Sequence, residues 1–165
     1  MIKIGMVSIA LAIVFSVSIA LAEEAEGSIA SYITKFEYLP VPDAEKHIVG
    51  MYERRGVANF KNGDTAAYHT RGTYDFTMGK GLFRGYTDMT YNDGSMVVVM
   101  ETGELTQEQG KLPKLKGKGE YIKGTGKFEG ITGNVSFEGK YITPYNKETK
   151  GDQILNAKGT FTLPK

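Results

Sequence analysis

The 165-residue chain has no cysteine and no tryptophan, only two histidines, and no useful surplus of either charge. Without cysteine there is no disulfide framework, no thiol nucleophile and no thiolate metal centre, so stability must come from packing and strand pairing. Asp43-Ala-Glu45-Lys-His47 is metal-like only in composition, and His69 would be the only histidine in a site on its strand face, so no metal is expected. Lys3 is the sole charged residue before Glu23; without it, 19 basic residues face 19 acidic ones. A balanced chain is poorly suited to nucleic acid or an acidic membrane surface, both of which are held by clustered positive charge. The phosphate-binding loop, the Gly-x-Ser-x-Gly elbow and the His-Glu-x-x-His zinc motif are all missing. Gly124-Thr-Gly126 lacks the strand-to-helix setting of a dinucleotide fingerprint, and no cofactor is expected.

Residues 1–22 read as a secretory signal peptide. Lys3 forms a short positive region, Ile4–Leu21 is apolar apart from Ser and Gly, and Ala20-Leu21-Ala22 is a small-x-small cleavage site before Glu23-Glu24. Cleavage after Ala22 predicts an exported protein, periplasmic or secreted, with no membrane attachment afterwards. The remainder, 23–165, has the length of one domain.

Twenty-one glycines, ten tyrosines and eight phenylalanines, with Thr-rich alternating runs between turn signals, describe an all-β chain. Strands are predicted near 31–38, 48–61, 64–77, 82–92, 95–105, 116–124, 132–143 and 153–163, with a short helix allowed at Glu23–Ser31. Eight meandering strands predict an antiparallel up-and-down barrel. Loops are expected at Pro40–Lys46, Thr106–Lys114 and Pro144–Asp152. Asp43-Ala-Glu45-Lys-His47 reads as a polar loop, and Lys111, Lys114, Lys116 and Lys118 as a solvated guard against edge-to-edge association.

Asn62-Gly63 and Asp93-Gly94 predict two-residue hairpin loops, which fix which residues share a face. In the second hairpin this register places Phe83, Met89, Tyr91, Met96, Val98 and Met100 inside. Arg84, Tyr86, Asp88, Thr90, Val97, Val99 and Glu101 are then outside, with Val97 and Val99 either covered by the N-terminal segment or forming a subunit interface. In the first hairpin, one face joins Met51, Glu53, Arg55 and Val57 to Tyr68, Thr70, Tyr74 and Phe76; the other carries Arg54, His69, Arg71 and Asp75. With the first face inward, Glu53 and Arg55 become an orienting pair in the lumen, where a carboxylate is open to a shifted pKa.

Gly124-Thr-Gly-Lys-Phe-Glu-Gly-Ile-Thr-Gly133 lies between two strand-like runs. Clustered glycine marks bends and close backbone approach, which a sheet needs at a corner if it is to close. The segment, with the strand Asn134–Tyr141 after it, resembles the Gly-rich corner of the allene oxide cyclase and dirigent-like barrels. The resemblance implies an eight-stranded antiparallel barrel with an interior cavity, often trimeric in the plant relatives. In that scheme Gly124, Gly126, Gly130 and Gly133 make the bends and Phe128 plugs the core. The plant cyclase's glutamate, asparagine and cysteine have no matching stretch here.

These readings predict a barrel that binds a small, partly apolar molecule. Tyr68, Tyr74, Phe83, Met89, Tyr91, Met96, Val98 and Met100 would line it, and Glu53 and Arg55 would orient the ligand. An isomerase or cyclase acting through Glu53, and a homo-oligomer assembled through Val97 and Val99, are the alternatives.

Overall fold

The computed structural model describes residues 22–146 and 148–164. The predicted signal peptide, apart from Ala22, lies outside the described residues. Eight antiparallel strands follow in order: β1 (Glu23–Pro40), β2 (Ile48–Phe60), β3 (Thr65–Thr77), β4 (Lys80–Tyr91), β5 (Met96–Thr106), β6 (Lys114–Thr125), β7 (Thr132–Tyr141) and β8 (Gln153–Thr162). Each pairs with its sequence neighbours, and β1 also pairs with β8, closing the barrel. Every expected strand is present. The allowed helix at Glu23–Ser31 is not: Glu23–Ser31 pairs with Gln153–Phe161, so this segment supplies the closing ladder. The local sequence is weakly helical, and the long-range ladder overrides that preference.

Both hairpin loops are one residue longer than expected. The amide of Phe60 donates to the carbonyl of Asp64, leaving Lys61-Asn62-Gly63 as the loop; the amide of Tyr91 donates to the carbonyl of Ser95, leaving Asn92-Asp93-Gly94. Gly63 (φ +92°) and Gly94 (φ +81°) have left-handed backbones, while Asn62 and Asp93 do not. The loops are therefore turns closed by a left-handed glycine, and not turns with two positive-φ residues. A one-residue slip sends every side chain of one strand to the other face. Val97, Val99 and Glu101 are thus buried inside, at 1, 3 and 8 % exposure, while Met100 is 41 % exposed and Met96 and Val98 share its outer face. On β2, Arg54 is inside, and Glu53 and Arg55 are outside. The interface expected through Val97 and Val99 falls with this correction, since both are core residues.

One end of the barrel is sealed by aromatic rings. Phe128, in a 3-10 turn at Gly126–Phe128, packs on Tyr91 with ring centroids 4.7 Å apart and meets Phe161 edge-on at 6.4 Å. Phe60 stacks on Tyr91, and Tyr121 meets Phe161. Lys127 lies over the Tyr91 ring and reaches Asp64 (3.3 Å) and Asp93 (3.7 Å), tying both hairpin loops to this corner. Gly124 is needed for the plug: a Cβ there would sit 1.9 Å from the Phe128 carbonyl oxygen. Further along, glycine lets rings lie flat on the wall. Cβ atoms on Gly103 and Gly117 would collide with the rings of Phe83 and Phe137, at 2.3 and 2.4 Å. With those rings pressed outward, the axis at this end stays clear.

Gly124→Ala has to displace backbone, so we expect about 2–3 kcal/mol of lost stability in urea unfolding. Gly63→Ala meets no atom within 4 Å and bears only its positive φ, about 1 kcal/mol. Equal costs would contradict the assignment of Gly124 as the packing point of the plug.

Candidate functional site

Beyond the aromatic seal, the lumen contains a polar layer and then a cavity of about 350 Å³ opening at the far end. The layer forms because corresponding inward positions of neighbouring strands carry Arg54 (β2), Thr70 (β3) and Thr87 (β4), which pair in register, followed by Glu101 on β5. Above it the walls are apolar, with Ile33, Phe76, Phe83, Leu105, Phe137 and Leu155 among the lining residues. The rim is aromatic: Phe36 stacks on Tyr74 (5.0 Å, 5° between planes) and packs against Tyr145 (5.1 Å).

Arg54 is 4 % exposed. Its Nε donates to Ser31 Oγ (3.3 Å), Nη1 to the Tyr141 hydroxyl (3.1 Å), and Nη2 to the carbonyls of Ser31 (3.4 Å) and Gly151 (2.6 Å). Its partners among the described residues are neutral, and it makes no ion pair with a carboxylate. Glu101, likewise buried, has Thr87 Oγ1 at 3.0 Å from one carboxyl oxygen and Thr70 Oγ1 at 3.0 Å from the other. Burial pushes its carboxyl above the ordinary carboxylate range, against the pull of Thr70, Thr87 and Arg54. The hydrogen bonds can serve either charge state of the acid. Thr70 Oγ1 also lies 3.3 Å from the Tyr86 carbonyl and has one hydrogen for two acceptors. A proton on Glu101 lets the carboxyl donate to Thr70 while Thr70 donates to Tyr86. Burial likewise raises the Tyr52 and Tyr68 phenols, with Glu101 adding to both. At the rim, burial lifts Tyr74 to about 12.

Of the residues expected to contact a ligand, Tyr68, Tyr74 and Phe83 line the cavity. Met89 and Tyr91 face inward but belong to the sealed core. Met96, Val98, Met100, Glu53 and Arg55 are on the outer face. There Glu53 lies 3.6 Å from His69, in a surface cluster with Arg71 and Asp88. His47, at the rim, bridges Asp43 (2.5 Å) and Asp75 (2.9 Å). A shallow outer concavity of about 1280 Å³ runs past Met51, Leu82, Arg84 and Lys116; these four are exposed. Arg54, Glu101, Tyr52, Thr87 and Tyr141 are the site residues that sequence reasoning missed. For Glu101 the signal was the alternation Val97-x-Val99-x-Glu101, whose valines fit the inside better than the surface.

A raised folded-state pKa means that the folded chain holds the Glu101 proton when the unfolded chain, near 4.5, has released it. Stability is therefore lost as pH climbs from about that value through the folded pKa, by at most about 1.4 kcal/mol per pH unit. Urea unfolding of the parent chain and Glu101→Gln from pH 4 to 8 checks this, since the difference cancels the groups common to both. We expect the parent to fall relative to the variant as pH rises; a constant difference would mean an unshifted carboxyl.

No family model matches the chain, and no curated protein matches it. Solved structures do. A pterocarpan synthase dirigent protein superposes with a TM-score of 0.50 at 13 % identity, over 94 % of this chain and 98 % of its own. A conserved protein of unknown function from Rhodopseudomonas palustris superposes at 0.53 and 7 % identity, over 87 % of this chain and 99 % of its own. With the closed order β1 to β8, these likenesses establish the scaffold: the chain has the dirigent-like fold, an eight-stranded antiparallel barrel.

Proposed function

We propose that this is an exported barrel that binds a small, largely apolar molecule in its lumen. The observation that carries the reading is a cavity of about 350 Å³ with apolar walls and two buried ionisable groups, Arg54 and Glu101, at its floor. Its size falls within the usual range for small-molecule sites, and few convergent polar groups in an apolar wall are what such sites use to fix orientation. Export rests on the Lys3-led apolar run and the Ala20-Leu21-Ala22 triplet.

A second reading, an isomerase or cyclase, draws support from Glu101. A carboxylic acid kept neutral beside an apolar cavity donates a proton or hydrogen bond at a developing oxyanion. The role first assigned to Glu53 passes to Glu101, because Glu53 is on the outer face. If Glu101→Gln converts the naturally bound molecule at the parent rate, the enzymatic reading is lost.

The binding reading is checked by native mass spectrometry of the protein exported by its own host. We expect an added mass that leaves on denaturation, on a chain beginning at Glu23. Leu105→Trp, which fills the cavity near its rim, should weaken binding of a neutral naphthalene fluorophore about tenfold while costing less than about 2 kcal/mol of stability. Undiminished binding would place the fluorophore elsewhere.

A further inference from the structure

The cavity floor has an unusual charge arrangement. Arg54 is buried with only neutral partners, and Glu101 is held by two threonine hydroxyls, not by the guanidinium. With Glu101 ionised, the floor is neutral overall; with Glu101 protonated, it carries one uncompensated positive charge. Four of the five guanidinium hydrogens are engaged by the contacts above, leaving one on Nη1. The Tyr141 hydroxyl accepts from that same nitrogen, so its own hydrogen can be donated elsewhere. A buried cation without a counter-ion is costly, and an anion brought to it recovers a charge-assisted hydrogen bond in a medium of low polarity.

Building on the binding reading above, we infer that the ligand is a monoanion with an apolar body, seated with its charged oxygen toward Arg54, and that it binds the form with Glu101 protonated, taking up one proton wherever the free protein holds Glu101 ionised. The proton balance is simple: ligand anion, ionised Glu101 and one solvent proton give a complex of protonated Glu101 with the ligand anion. Two anions on one small apolar floor repel, so the ligand favours the protonated acid. Among the described residues, the groups that act on Glu101 or are acted on by it are Arg54 and Tyr52 on β2, Thr70 and Tyr68 on β3, and Thr87 on β4, with Tyr141 on β7 beyond Arg54. Burial holds Tyr52 and Tyr68 neutral across the working range, leaving Glu101 as the group among these that changes charge.

The test uses an isosteric pair, 2-naphthoate and 2-naphthamide, titrated calorimetrically into the mature chain above about pH 5.5, where the naphthoate is ionised. We expect naphthoate to bind about tenfold tighter or better, the margin of one charge-assisted hydrogen bond. Its affinity should fall as pH rises above the Glu101 pKa, by up to about tenfold per pH unit. Paired buffers of different ionisation enthalpy should report uptake of up to one proton. In Glu101→Gln the naphthoate affinity should lose this pH dependence, and in Arg54→Gln, provided its melt stays cooperative, the preference for the anion should vanish. Equal or tighter binding of naphthamide overturns the inference and leaves the cavity reading standing. Tighter naphthoate binding whose affinity does not fall as pH rises to 8, with no proton uptake at any pH in that range, overturns the role of Glu101. If neither probe binds, the cavity reading fails and the inference with it.

Discussion

Closure depends on one long strand. The 18 residues of β1 serve two ladders: Glu23–Ser31 pairs with β8, and Gly27–Pro40 with β2. The ladders overlap at Gly27–Ser31, and just past the last β8 partner a bulge between Ile33 and Lys35 bends the strand. Beyond the bulge, β1 and β2 rise past the end of β8. The β7–β8 connection fills the gap, with the Ile33 amide donating to the Lys150 carbonyl. The open mouth and the rim contact of Phe36 with Tyr145 both follow from that overhang. A β1 without Glu23–Ser31 would have no ladder to β8 and would leave an open sheet.

Arg54 links this overhang to the lumen. Its contacts with Ser31, Gly151 and Tyr141 join β1, the β7–β8 loop and β7, so the side chain that floors the cavity also anchors the loop at its rim. An apolar residue would satisfy the packing of β2, but it would leave the Gly151 carbonyl without this donor at a buried position, a cost of about 1–3 kcal/mol. Fold and site therefore share a residue, and a substitution there disturbs both.

Much of the architecture was legible in the sequence, because turn chemistry and alternation act locally. All eight strands and the Gly124–Gly133 corner could be placed from spacing alone. The faces of β3 and β4 were also readable: Tyr68, Tyr74, Phe83 and Met89 point inward as expected. The faces of β2 and β5 were not, for a single reason. Asn-Gly and Asp-Gly serve both two-residue and three-residue hairpin loops, and the choice depends on backbone angles at Asn62 and Asp93, which the sequence does not fix. That ambiguity exchanged Glu53 and Arg55 for Arg54, and Met96, Val98 and Met100 for Val97, Val99 and Glu101. The alternation on β5 contained the correction, since valines at 97 and 99 fit a barrel interior better than its surface.

Why, then, is the lumen not packed solid? Eight strands enclose a space that side chains can fill, and the sealed end does so with Tyr91, Phe128 and Phe161. Toward the mouth, inward positions of β5 and β6 carry Gly103 and Gly117, and Phe83 and Phe137 lie over them against the wall. A larger residue at either glycine would push its ring toward the axis and fill space now empty. The same stretch holds Arg54 and Glu101 apart from each other on neutral partners, an arrangement that apolar residues of similar volume commonly improve on in stability. A barrel shaped only by stability would fill that space and discard those charges. Keeping both, in one place and open at one end, is what the proposed binding role calls for.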